Sequence, residues 1–449
     1  MIFNYIKIAI IAILSVASPI VSQLSQPSMI YMLNRHGASP CIDPPPKETG
    51  AQLFDSSYNR NYIKGQRIRQ IYPNLLSNTY KYNEIHVNST AWQRTVATGN
   101  SVLHGLYPYL NNDTSRIAVF TNTWEFDYTL YNYDKCPNWD KDWATFKTTP
   151  EWLNAVQKYS NLTFYLTSFL NPSKPYTLDG IYSIWEVHNT QRRYPETGIR
   201  STSIDDYTFQ VLTEAATYVE TRKYGTDMSK DYFGNTFLSA VKFRMQMHIS
   251  KDVTFGKKVA MSFAHYPNIL FTLSSLGYTG PISKLIPGYN SALVFELYNE
   301  TLNTVNYPSG WGIKIRYYEG NKQWASHTSI ADGYPIALGN CVEGVECKID
   351  YSLFWSMYKP KTLADWCTTC GSGLWMCVGA TSSSSSNSNI SILSSDNEYQ
   401  SIQIATLSVA CVILFIILVS FIRSFFVINP TSVVSCGKPT HEAIPMNVV

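Results

Sequence analysis

Three short apolar runs interrupt the polar texture of the first three hundred residues: Met29–Leu33, Glu84–Val87 and Lys257–Phe263. Their length, and the polar or small residues that close them, mark buried strands rather than helices. The first runs into Asn34-Arg35-His36-Gly37 and then Ala38-Ser39-Pro40. The second is followed by Asn88-Ser89-Thr90 and a helical stretch to about Leu106, with Ser89 or Thr90 as the expected cap and Arg94 in the first turns. The third leads through Ala264-His265 into a helix from about Pro267 to Leu276. Strand followed by helix, met repeatedly, predicts an α/β fold. Its ligand sites lie at the carboxyl ends of the strands, and helix N-termini there favour anions. Gly37 lets the backbone come close to such a ligand.

Two longer apolar stretches frame the chain. Residues 1–22 carry Lys7, an apolar run from Ile8 to Ala17, and then Ser18, Pro19 and Ser22, the layout of a secretory signal peptide. Ile402 to Ile422 holds no charge and is closed by Arg423. Its length suits a bilayer core of about 30 Å at ~1.5 Å per helical residue. Before it, Ala380 to Ser401 is rich in Ser and Asn, with five consecutive serines, and reads as a flexible stalk. The organisation expected is a signal peptide (1–22), an ectodomain (28–377), a stalk (380–401), a transmembrane helix (402–422) and a cytoplasmic tail (423–449). The protein is thus expected to be single-pass and type I. Its ectodomain would be extracellular or in the lumen of the secretory or lysosomal system.

Composition narrows the function. With 35 Lys+Arg against 32 Asp+Glu, no cationic excess is left for a nucleic-acid surface. Seven of the nine cysteines precede the stalk, as do the sequons at Asn88, Asn112, Asn161 and Asn299; a fifth, Asn389, lies within it. Both features suit an oxidising compartment. Cys367-Thr-Thr-Cys370 has no second CxxC or His pair to complete a zinc site, so disulfide bonding is the better reading. Seven being odd, one ectodomain thiol is expected to be free or bonded to another chain. No HExxH, GxSxG, P-loop or dinucleotide fingerprint occurs.

Arg35-His36-Gly37, Ser89-Thr90-x-x-x-Arg94-Thr95 and His265-Tyr266 resemble the signatures of the histidine acid phosphatases: RHGxRxP, S-T-x-x-x-R-T and a late His-Asp pair. Further along, Phe295–Tyr298 and Ile313–Tyr318 are similar to that family's late antiparallel strands. Leu338–Cys341 is similar to its Cys-bearing loop, and Asp365-Trp366 with Cys370 to its final disulfide segment. The resemblance implies a mostly parallel sheet sandwiched by helices, with a helical cap inserted at about residues 124–255. It implies His36 as the nucleophile that forms a phosphohistidine, and Arg35, Arg94 and His265 as phosphate-binding residues, His265 also counting as catalytic. It calls for no metal and no cofactor. It pairs Cys341 with Cys347 and Cys136 with Cys370, which leaves Cys367–Cys377 as the economical third bond and Cys41 as the odd thiol.

Two positions depart from the family pattern. Ser39 stands where the second signature arginine belongs, and Tyr266 where the aspartate that protonates the leaving group belongs. Asp43 and Glu48 follow the signature closely enough to be candidate replacements for that acid. Two functions therefore stand side by side. One is a membrane-anchored phosphatase of reduced activity acting on a small phosphorylated substrate. The other is a pseudophosphatase that binds phosphate or a phospho-ligand as a receptor-like module. The expected partners are that substrate and, through the apolar segment, membrane lipid; a homo-oligomer stays open.

Overall fold

The computed structural model describes residues 26–40, 52–108, 117–123, 125–170, 175–193, 204–320, 324 and 333–380. The signal-like start, Cys41, Asp43, Glu48, most of the stalk, the 402–422 segment and the tail lie outside the described residues. Among the described residues no helix is long and apolar enough to cross a membrane.

An eight-stranded sheet forms the centre, in the order β3-β2-β4-β1-β5-β6-β7 with β8 on β6. β1 (Met29–Arg35) and β4 (Val259–Ala264) are buried along their whole length, as strands covered on both faces must be. β2 (Ile85–Ser89) pairs with β4 in parallel, and β4 with β1. β3 (Phe120–Thr121) extends this half at one edge. The expectation of a mostly parallel sheet is corrected on the other side of β1. There β5 (Ala292–Asn299), β6 (Trp311–Tyr318), β7 (Tyr334–Pro335) and β8 (Ile349–Asp350) all pair antiparallel. For β5 and β6 connection length accounts for it: they are joined through residues 300–310 alone, whereas a parallel crossover needs a dozen or more residues and usually a helix.

The alternation along β1 divides the core. Ile30 and Met32 face a layer built by α1 (Asp55–Ile71) and α2 (Gln93–Leu106), with Ile68, Val102 and Leu106. Tyr31 and Leu33 face α8 (Asn235–Ile249), α9 (Tyr266–Ser275) and α10 (Tyr351–Met357), with Phe237, Leu273 and Phe354. The expected cap is helical. It comprises α3 (Pro137–Phe146), α4 (Pro150–Lys158), α5 (Ser160–Leu170), α6 (Ile181–Arg193) and α7 (Asp206–Tyr224), which lead into α8. Its own core is aromatic, around Trp139, Trp143, Trp152 and Trp185. α11 (Leu363–Cys370) and α12 (Trp375–Ala380) follow. Cys136–Cys370 ties the start of α3 to the end of α11, and Cys341–Cys347 and Cys367–Cys377 also form.

Candidate active site

Three neighbouring parallel strands, β2, β4 and β1, end along one edge of the sheet, and the conspicuous residues follow those ends. Arg35 is the last residue of β1 and pairs with Ala264 of β4. His36 therefore comes beside His265, their rings 5.3 Å apart. The β2 end supplies Ser89 and Thr90, after which α2 begins. Neither caps it, contrary to expectation: the N-cap is Trp92, without a side-chain cap bond. The Thr90 hydroxyl turns inward and meets the Thr95 hydroxyl at 2.9 Å and His265 Nε2 at 3.2 Å. Arg94 sits at the second position of α2, from which its Nε donates to His36 Nε2 across 3.3 Å.

Short bonds fix the His36 loop. His36 N–H donates to Ala264 O at 3.0 Å, and Asn290 N–H donates to His36 O at 3.1 Å. Gly37 N–H donates to Thr98 Oγ1 at 2.9 Å, so one face of α2 holds the loop through Thr98 and presents Arg94 one turn earlier. A Cβ at position 37 would lie 2.8 Å from Asn61 Nδ2, so any side chain there must displace the buried Asn61 amide. On the other side, Asn268 Oδ1 accepts the His265 N–H at 3.1 Å and Asn268 Nδ2 donates to Leu130 O at 2.8 Å, which anchors the turn into α9.

Nδ1 of His36 lies 2.7 Å from Gly37 O. A carbonyl can only accept, so the proton belongs on Nδ1 and the lone pair on Nε2, the atom Arg94 addresses. Burial, reinforced by Arg94, His265 and Arg35, holds His36 well below the usual imidazole range. Burial with Arg94 and Arg35 does the same to His265. Both rings thus stay neutral into acid, and His36 keeps a nucleophilic lone pair there. Among the described residues no cluster of ligating side chains could hold a metal ion.

The two departures are placed differently. Ser39 is buried on the loop beyond Gly37. Tyr266 opens α9 and its hydroxyl donates to Glu220 of the cap helix α7, while its ring lies 4.8 Å from Tyr182. Burial and the neighbouring Glu220 carboxylate push Tyr266 well above the ordinary phenol range. It is therefore a weaker acid than an exposed tyrosine. Burial raises Glu220 itself to about 7. Arg35, expected to hold phosphate, is already engaged. Its Nη2 donates to Glu186 of α6 at 2.9 Å, and its Nη1 to Pro287 O at 2.6 Å. Its guanidinium carbon stands 4.0 Å from the centre of the Tyr289 ring. The sequence reading missed Glu186, Glu220, Tyr182 and Tyr289. They come from the cap and from the loop before β5, and no local motif marks them.

A histidine whose unprotonated Nε2 faces an arginine at a helix start, beside a second neutral histidine, has the chemistry to receive an anionic, phosphoryl-like group at an α/β sheet edge. Residues 46–309 match the family described as Histidine phosphatase superfamily (branch 2), and this chain belongs to that family. The matched stretch begins after His36. Prostatic acid phosphatase of Rattus norvegicus is 22% identical over 377 residues, covering 78% of this chain and 90% of the relative. Among solved structures, Hafnia alvei phytase in complex with myo-inositol hexakis sulphate is similar with a TM-score of 0.54 at 15% identity. It covers 74% of this chain and 97% of its own. Citrobacter braakii phytase gives 0.53 at 14% identity, over 72% and 95%. At these identities the two phytases bear on the fold alone.

Proposed function

We propose that this chain is a membrane-anchored phosphomonoesterase working through a phosphohistidine at His36, with turnover reduced by Ser39 and Tyr266. One observation carries the reading: His36 Nε2, the unprotonated nitrogen of a buried neutral ring, faces Arg94 Nε at 3.3 Å. In the first step Nε2 attacks phosphorus and the bond to the leaving oxygen breaks. Arg94, Arg35 and His265 would bind the phosphoryl oxygens through that step. In the second step water attacks the phosphohistidine, the P–N bond breaks, and phosphate leaves. Both steps involve displacement at phosphorus, for which positioned cations are the main protein contribution. The signal-like start, the uncharged 402–422 stretch and the sequons support a lumenal or extracellular placement on a single-pass anchor.

The pseudophosphatase reading draws on a specific observation too. The Tyr266 hydroxyl is committed to Glu220, and Arg35 to Glu186. Acid-quench trapping with a labelled aryl phosphate separates the two. The full chain should carry label that a His36→Ala variant lacks. A wild-type chain that binds phosphate yet never becomes labelled or releases product leaves the binding reading standing.

A further inference from the structure

We propose that Glu186 is a built-in competitor of the substrate: its carboxylate holds Arg35 in place of a phosphoryl group and thereby sets the affinity of the site for phosphate. The inference rests on the reading of the His36 pocket as a phosphoryl site. Its basis is the convergence of donors on one atom. Glu186 Oε1 accepts from Arg35 Nη2 at 2.9 Å, from the Tyr182 hydroxyl at 2.8 Å and from the Tyr289 hydroxyl at 2.9 Å. A cation and two hydroxyls around a single oxygen make an anion pocket, and the cap fills it with its own oxygen.

Arg35 is 2% exposed and Glu186 19%. The guanidinium is buried and the carboxylate is the more exposed member of the pair. A carboxylate that merely aimed the arginine would leave the fork open toward the pocket. Here Nη2 donates to Glu186 and, at 3.4 Å, to the Tyr182 hydroxyl, Nη1 donates to Pro287 O, and the buried Nε is the guanidinium nitrogen with no partner among the described residues. With Ser39 in the loop, Arg94 is then the remaining site cation with no carboxylate partner among the described residues. A phosphate dianion bound at His36 can take the Arg35 Nη2 donor only in competition with the Glu186 carboxylate. It binds fully only when α6 yields that contact.

The test is titration of the detergent-solubilised full chain with inorganic phosphate, by calorimetry and by the rise in melting temperature. Glu186→Gln keeps the shape and an accepting oxygen but removes the charge, and should bind phosphate about tenfold tighter or more. Tyr289→Phe, which removes one donor from Oε1 and leaves the charge, should tighten binding less. Adding Arg35→Ala to Glu186→Gln should abolish the gain. The melting temperature without phosphate reports whether each variant is folded. Glu186→Gln binding phosphate no more tightly than wild type overturns the competitor role. If Arg94→Ala still weakens phosphate binding in that case, the phosphoryl site survives and only this inference falls. Absence of phosphate binding in every variant overturns both.

Discussion

On the proposed phosphohistidine route, His36 and Tyr266 pull in opposite directions. The histidine is ready: buried, neutral and with its lone pair fixed on Nε2. The tyrosine occupies the aspartate position and is a weaker acid than usual. Phosphoryl transfer to His36 should then depend on how well the leaving oxygen departs without a proton. Nitrophenyl-type esters should be hydrolysed in a His36-dependent way, simple alkyl phosphates about 10²-fold or more slowly, the usual size of a general-acid contribution. Equal rates on the two would show that another group supplies the proton. Ser39→Arg with Tyr266→Asp should raise the alkyl rate more than either change alone, because cradle and donor act on one transition state.

Glu220 gives a second test at this scale, in stability. Its folded pKa is raised to about 7, above the ordinary 4.5. The native state therefore keeps a proton that the unfolded chain gives up between those values. The stability this brings is complete below about 4.5 and is lost as pH rises through 7. Glu220→Gln removes the charge that becomes buried at high pH. Its melting temperature should match wild type near pH 5 and exceed it at pH 8, by the equivalent of on the order of 2–3 kcal/mol. Below about pH 6.5 the depressed His36 and His265 lower stability in both proteins alike, so they cancel from the comparison. A melting difference independent of pH would show that Glu220 is not the titrating group.

Among the elements, the α1–α2 pair carries the site on its far side, and its contact is backbone to backbone. A Cβ at Gly65 would lie 2.0 Å from Val102 O, and one at Gly105 would lie 1.8 Å from Tyr62 O. Neither obstacle is a flexible side chain. Gly65→Ala or Gly105→Ala must push the helices apart and move Arg94 and Thr98 with α2. Each should cost about 1–3 kcal/mol or more in denaturant unfolding, as overpacking does. Activity should fall further than stability alone explains, since small displacements of positioning groups are costly. A Gly105→Ala variant with unchanged midpoint and rate would contradict the tight crossing. The two glycines are visible in the sequence, but their reason is not. Nothing local in α1 or α2 says that they meet.

At the scale of the whole molecule, the proposed anchored, lumenal arrangement predicts that Asn161 and Asn299, both exposed, carry glycans. Glycosidase treatment of membrane preparations should shift the mobility of the chain. An unshifted band, together with labelling of the 28–377 region by a cytosolic probe, would reverse the orientation. Asn88 is a different case. It lies within β2, paired with Phe120 and Ser262, where a glycan would block the sheet. Asn88→Gln should leave the mobility unchanged.

Local pattern alone determined a good deal. The apolar runs at β1 and β4 had to be central strands, because strands covered on both faces need continuous apolar residues. Each of those strands ends where a polar, turn-forming stretch begins, and that local change of pattern is enough to put His36 and His265 at strand ends. Arg94 near the start of α2 followed from the polar turn after Val87. Other features were decided only by packing across long sequence distances. The antiparallel half of the sheet depends on how β5 and β6 fold back beside β1. The Thr90 hydroxyl, a good cap by type, went to His265 because the β4 end stands next to it. Glu186, 151 residues from Arg35, reaches it only because the cap closes over the sheet edge. Charge and hydroxyl chemistry can be read from one residue, but the partner that neutralises it is chosen by the tertiary fold.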